Sequence, residues 1–257
     1  LFLSTPKGRN WFYDLFELGN SIDYPNYRSY KGTSLDTPFI SKEEIDDASK
    51  TLPPKVFKQE YMAAFIDDGG EVFSDVMKNC FDKYPAKQGE LYCGIDLGRI
   101  NDFTVATVMD STGHVIDVYR NNKSQWSVLV SELLAFIRRY NCNTLIEVNS
   151  IGDVVFEQLK AKYNKIKPFV TTSKSKQEII EGLILDFNNS AIKIPSKKLF
   201  QPLYDELGYF TYTYNPKTRN IKYGHPNGLH DDCVISLALA NYSRKTQATR
   251  GSYNWVA

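Results

Sequence analysis

Residues 91–121 read LYCGIDLGRINDFTVATVMDSTGHVIDVYRN, and this stretch decides the fold. "LYCGIDLG" (91–98) is an apolar run with β character. "FTVATVMD" (103–110) follows, then the turn "STG", then "HVIDVYRN" (114–121). Such runs parted by turn residues predict a three-strand meander. Downstream, Trp126, Leu129, Val130, Leu133, Leu134 and Ile137 recur at helical spacing, with Ser124 placed to cap that helix. "TLIEV" (144–148) is a short buried strand, "IGDVVFEQLKAKY" (151–163) a helix and "IKPFV" (166–170) another strand. Helices are expected over 176–189 and 197–207. "GYFTYTYNPKTRNIKYG" (208–224) alternates and turns at Asn215-Pro216 as a hairpin. A closing helix runs from His230 to Tyr242. Strands separated by helices lie parallel by the right-handed crossover rule. The expectation is an α/β fold: a mixed sheet with helices on both faces.

Ahead of this block, "LFLSTPKGRNWFYDLFELG" (1–19) reads as a short buried strand, a turn and a helix stopped by Gly19. Residues 20–40 read as loop. "SKEEIDDASKTLPPKVFKQEYMAAF" (41–65) reads as two short helices broken at Pro53-Pro54, with Ser41 and Glu44 as a capping box. Residues 67–75 are a turn and 76–90 a connector. The first residue is Leu and the chain opens in mid-strand, the expectation for a fragment of a longer protein.

The 257 residues are 42% hydrophobic and 24% charged, the composition of a globular chain. No apolar run approaches the ~20 residues of a transmembrane helix, and no signal-peptide pattern is present. Cys80, Cys93, Cys142 and Cys233 are scattered without a CxxC pair, so they read as buried thiols. The net charge of +1 is unevenly spread. Residues 1–75 carry 8 Lys/Arg against 13 Asp/Glu, and residues 158–225 carry 12 against 5. The basic stretch is either a solvated surface or a track for a phosphate backbone.

Asp96 lies near the end of the first strand of the meander and Glu147 near the end of the fourth strand. Each is flanked by apolar residues, where a charge is costly unless paired or metal-bound. Adjacent parallel strands would bring both to the carboxyl edge of the sheet, where open α/β folds build their sites. His230, Asp231 and Asp232 open the last helix. They suit a helix N-terminus as caps, or they meet the other two acids at that edge. Converging carboxylates without evident basic partners suit Mg²⁺ or Mn²⁺. Two such ions activate a water and stabilise the leaving oxygen in phosphodiester hydrolysis.

The ordered set of Asp, Glu and Asp-Asp resembles the ribonuclease H-like superfamily. More narrowly, the chain resembles the carboxyl-terminal part of bacteriophage terminase large subunits. "LSTPKGRNWFYDLF" is similar to the segment after the Walker B strand of their ATPase domains, and "LPPKVFKQEYMAAFIDDGGEVF" to the stretch leading into the nuclease domain. "GIDLGRINDFTV", "IEVNSIGDVVFEQL" and "HDDCVISLALA" resemble the three nuclease motifs. The resemblance implies Asp96, Glu147 and Asp232 as metal-binding catalytic residues for two Mg²⁺ or Mn²⁺ ions, with Asp231 as a fourth. It makes His230 an auxiliary residue, or a plain capping or core histidine. Asp102, auxiliary like His230, and Thr104 are then residues that either support the metal ligands from behind or fix the turn into the second strand, and are not ligands themselves.

The hairpin fits an insertion beside the nuclease cleft. Lys217, Arg219 and Lys222, with Lys174 and Lys176, are then candidate DNA contacts. Tyr209, Tyr212, Tyr214 and Tyr223 either contact DNA or pack the sheet. The implied organisation is an ATPase remnant (1–40), a helical linker (41–88), the nuclease domain (89–245) and a tail (246–257). No GxxxxGKS/T loop is present, so ATP is expected to serve only the full-length parent protein, not this chain. Implied partners are double-stranded DNA and, in the whole motor, the portal protein and small terminase subunit, with no membrane. The expected location is the host cytoplasm, transiently at the procapsid portal. Two other readings remain: another ribonuclease H-like nuclease of the junction resolvase or integrase type, and a non-cleaving DNA or portal docking module.

Overall fold

The computed structural model describes residues 1–6, 11–52, 54–65, 69–73, 76–98, 102–122, 125–148, 151–215, 220–225 and 228–248. In chain order its elements are α1 (Trp11–Asn20), α2 (Lys42–Thr51), α3 (Pro54–Glu60), β1 (Gly69–Glu71), β2 (Cys80–Phe81), β3 (Leu91–Asp96), β4 (Thr104–Asp110) and β5 (Val115–Asn121). They continue with α4 (Trp126–Tyr140), β6 (Asn143–Glu147), α5 (Ile151–Lys160), β7 (Ile166–Phe169), α6 (Ser173–Asn188) and β8 (Ile194–Pro195). The last are α7 (Gln201–Tyr209), β9 (Thr211–Asn215), β10 (Asn220–Gly224) and α8 (Asp232–Ala248). The chain divides into two compact units, Leu1–Gly70 with Thr211–Lys222, and Glu71–Phe210 with Tyr223–Ala257.

In the first unit, Phe12, Tyr13 and Phe16 of α1 gather around the Phe65 ring at centroid distances of 6.1, 5.0 and 5.1 Å. Ser41 opens α2 as expected, its hydroxyl accepting the Glu44 N–H at 3.1 Å. β9 joins β10 and β1 in a three-stranded sheet of order β1-β9-β10. The expected opening strand is absent. Residues 1–6 have no regular structure, and Leu1, Phe2 and Leu3 are exposed. A strand needs a neighbour to complete its ladder, and no described strand pairs with this segment.

The second unit is built on a five-stranded sheet of order β5-β4-β3-β6-β7. The meander pairs antiparallel, while β3–β6 and β6–β7 are parallel. The fold is therefore the expected ribonuclease H-like mixed α/β arrangement. Alternation along the strands sends Cys93, Ile95, Ala106, Val108 and Ile146 to one face, into a core with Leu129, Leu133 and Ile137 of α4 and Val155 and Leu159 of α5. The opposite face is covered by α8. Gly94 makes that contact possible: a Cβ there would run into the backbone of Ser236 and Ala240. The Ser236 hydroxyl donates to the Gly94 carbonyl at 2.9 Å. Ser243, further along α8, reaches the Asn143 carbonyl at the start of β6. Hence α8 runs against the direction of β3 and β6, and its N-terminus arrives at their carboxyl ends.

Smaller differences from the sequence reading have local causes. α7 continues to Tyr209, so the hairpin begins at Thr211. β2 and β8 are two-residue strands paired with each other, too short to carry a periodic signal. The N-cap of α4 is Gln125, without a side-chain cap; Ser124 lies outside the described residues. Cys93, Cys142 and Cys233 are buried free thiols and Cys80 is half-buried. Among the described residues no helix is long and apolar enough to cross a membrane.

Candidate metal centre

The β3–β6 register pairs Ile95 with Ile146, and one further residue aligns Asp96 with Glu147. Both carboxyls therefore leave the same sheet face at its carboxyl edge, the face that α8 covers. Asp96 is buried, and its carboxyl is hydrogen-bonded to Glu147. Burial first, then the Glu147 charge and hydrogen bond, then the charges of Asp232 and Asp231, push Asp96 well above the ordinary carboxylate range.

Asp232 is the first residue of α8 and is buried. Its Oδ2 accepts the Phe103 N–H at 3.1 Å. Burial raises Asp232 to about 6; the Phe103 hydrogen bond and His230 oppose the shift, while the Asp102 and Asp231 charges add to it. His230 Nδ1 stands between two acids, 3.5 Å from Asp232 Oδ2 and 3.6 Å from Asp102 Oδ1. Its ring is edge-on to Phe103, with centroids 5.3 Å apart. Thr104 accepts the Gly98 N–H at 3.1 Å through its hydroxyl, tying the end of β3 to the start of β4.

Asp231 faces other partners. Lys176 Nζ, in the first turn of α6, lies 3.0 Å from Asp231 Oδ2, and His225 Nε2 lies 3.7 Å from Oδ1. Its carbonyl accepts the Ile235 N–H, making Asp231 the N-cap residue of α8 through its backbone. The free amides of that turn go elsewhere. Glu206 of α7 accepts from Cys233 N–H at 2.7 Å and Val234 N–H at 3.4 Å. Sequence reading missed Glu206, because a helix can be capped by a residue remote in the chain and no local pattern marks it.

Lys174 is exposed on α6 and Lys222 on β10, while Lys217 and Arg219 lie outside the described residues. Tyr212 and Tyr223 are buried, and the Tyr223 hydroxyl donates to Glu181 at 3.3 Å. Tyr209 is half-buried at the end of α7.

Among the described residues no group of three or more His, Cys, Asp or Glu is gathered closely enough to hold a metal ion as it stands. The chemistry of the acids nonetheless fits a hard cation. Their ligand atoms are carboxylate oxygens, and the burial and neighbouring negative charges that push Asp96 upward are what a bound cation would offset.

No family model matches the chain. It is 30% identical over 267 residues to the large terminase subunit of Thermus virus P23-45, covering 93% of this chain and 54% of that protein. The chain is homologous to bacteriophage terminase large subunits. It spans about half the length of the curated relatives it matches. The crystal structure of the large terminase nuclease of phage G20c superposes with a TM-score of 0.58 at 27% identity, covering 67% of this chain and 97% of that one. The same G20c nuclease with bound magnesium superposes at 0.58 and 26% identity, covering 67% and 96%. The terminase likeness thus extends to nuclease domains as separate structures.

Proposed function

We propose that this chain carries the nuclease of a DNA-packaging terminase, a divalent-metal-dependent endonuclease that cuts concatemeric double-stranded DNA. The observation that carries the reading is the placement of Asp96 and Glu147 on neighbouring parallel strands, with Asp232 at the start of α8 close enough for its charge to act on Asp96. Asp96, Glu147 and Asp232 would hold two Mg²⁺ or Mn²⁺ ions, with Asp231 as an outlying fourth ligand. When bound, such ions supply an activated water and neutralise charge on the leaving oxygen. The remaining work belongs to the chain itself. Asp96 feels both Glu147 and Asp232, so it would hold a cation together with them. The Phe103 N–H fixes one oxygen of Asp232. His230 Nδ1 orients the same carboxylate. Hydrolysis would leave a 3′-hydroxyl and a 5′-phosphate.

Lys217, Arg219, Lys222 and Lys174 are proposed phosphate contacts, which position DNA without reading sequence. Lys176 is a further proposed phosphate contact, and its ammonium also stands beside Asp231. The portal protein, the small subunit and ATP hydrolysis belong to the whole motor in the host cytoplasm. Residues 1–40 would be the end of its ATPase region and 41–88 the link to the nuclease. The deciding experiment incubates the chain with supercoiled plasmid in Mn²⁺ or in EDTA. Nicking and linearisation in Mn²⁺ alone is expected. A folded chain that leaves plasmid intact in Mn²⁺, or cuts equally in EDTA, ends this reading.

A further inference from the structure

An ion pair outside the acid cluster, half-buried Arg120 with buried Glu206, reaches Asp232 from two directions. Arg120 sits on β5 in the same lateral row of the sheet as the acids: Asp96 pairs with Val105, and Val105 with Arg120. Paired residues share a face, so Arg120 projects on the side of Asp96, Glu147 and α8. Its guanidinium lies over the Phe103 ring, 3.2 Å from the centroid. The Phe103 N–H holds Asp232 Oδ2, and the other side of its environment is the His230 ring. Arg120 Nη2 also lies 3.8 Å from Glu206 Oε1. Glu206 is 1% exposed, and its second oxygen takes the Cys233 and Val234 amides next to Asp232.

We propose that Arg120 and Glu206 form a positioning brace for Asp232, Arg120 acting through the Phe103 ring and Glu206 through the first turn of α8. The proposal rests on Asp232 being a metal ligand, as read above. An ion pair largely taken out of water is a poor device for stability alone, since apolar side chains of equal volume hold a helix as well or better. What this pair adds is direction. The planar guanidinium sets the tilt of Phe103 by stacking, and with it the line of the N–H toward Asp232. The Glu206 carboxylate fixes the rotation of the helix that carries the Asp232 side chain. The Arg120 Nε and Glu206 Oε1 atoms are buried without hydrogen-bond partners among the described residues. The pair therefore spends its geometry on Phe103 and α8 rather than on itself.

The test is Mn²⁺ titration calorimetry on the whole chain, with folding checked by circular dichroism. Arg120→Met and Phe103→Leu should each weaken Mn²⁺ binding by about 10- to 100-fold, as loss of a ligand's supporting partner does. Arg120→Lys, which keeps the charge but not the plane, should not restore it. Phe103→Leu keeps the backbone N–H on a half-exposed loop and serves if Arg120→Met does not fold. Asp232→Asn is the control. If Asp232→Asn loses Mn²⁺ while folded Arg120→Met or Phe103→Leu binds like wild type, the brace is wrong and the metal reading stands. If Asp232→Asn itself binds like wild type, the ligand assignment fails, and the brace with it. A lowered melting temperature with unchanged Mn²⁺ affinity marks a merely structural pair and overturns the proposal.

Discussion

Lys176 Nζ lies 3.0 Å from Asp231 Oδ2, so the two adjacent aspartates at the head of α8 are not equivalent. Asp231 is answered by a lysine and by His225, whereas Asp232 receives the Phe103 N–H and stands 3.5 Å from His230. A cation held on Asp231 offsets one charge of the acid cluster. Asp232→Asn should therefore lose Mn²⁺ binding more completely than Asp231→Asn. Lys176→Met should tighten Mn²⁺ binding by about tenfold, ~1.4 kcal/mol, because an uncompensated carboxylate is then added near the ion. Calorimetric titration of the three variants checks both statements. Weaker binding by Lys176→Met would mean that the lysine orders Asp231 as a ligand.

Asp96→Ala should reduce Mn²⁺-dependent plasmid cleavage to background without loss of fold. In EDTA the same variant should melt at a higher temperature than wild type at pH 8, since a carboxyl pushed upward by burial and then by its acidic neighbours is removed. Gel assays and thermal melts measure the two effects separately. Wild-type nicking by a folded Asp96→Ala protein would remove Asp96 from the centre.

Metal affinity should depend on pH through Asp232. Its carboxyl is raised from 3.8 to about 6 in the folded protein. Below that pH a proton competes with the ion, so Mn²⁺ affinity should fall by up to about tenfold per pH unit for this one group. Binding near pH 6 should release protons, measurable as a dependence of the calorimetric heat on buffer. In the metal-free protein the sign is opposite. The Asp232 contribution to stability is fully present below pH 3.8 and is lost as pH rises through about 6, a change of at most ~3 kcal/mol. Asp232→Asn should remove the part of both dependences that lies near pH 6.

Gly94→Ala should destabilise the second unit by about 1–3 kcal/mol, the usual cost of overpacking. The added methyl meets the backbone of Ser236 and Ala240, so α8 must lift. Because α8 carries Asp232, Mn²⁺ affinity should fall as well. Urea unfolding and Mn²⁺ titration of the same preparation measure the two losses.

The sheet was legible because β3, β4 and β6 announce themselves by apolar runs between turn residues, and the parallel pairing follows from the intervening helices. Asp96 and Glu147 were legible for a related reason, since a carboxylate at the end of an apolar strand has a predictable edge to occupy. The partners of Asp231 and Asp232 were not. Lys176 is 55 residues from Asp231, and Arg120 reaches Glu206 only because sheet register and the seat of α7 bring them together. Contacts of that kind leave no period in the chain. The first residues show the converse failure. "LFLSTP" has the composition of a strand, but composition does not supply a neighbour to pair with.

The order of the elements also bears on how the chain is made. β3 and β6 leave the ribosome well before α8, and they bring Asp96 and Glu147 with them. The third carboxylate comes only when α8 has been translated and has settled over Gly94. A nascent chain, or one cut short ahead of Asp232, thus displays a finished sheet edge with two acids and no third.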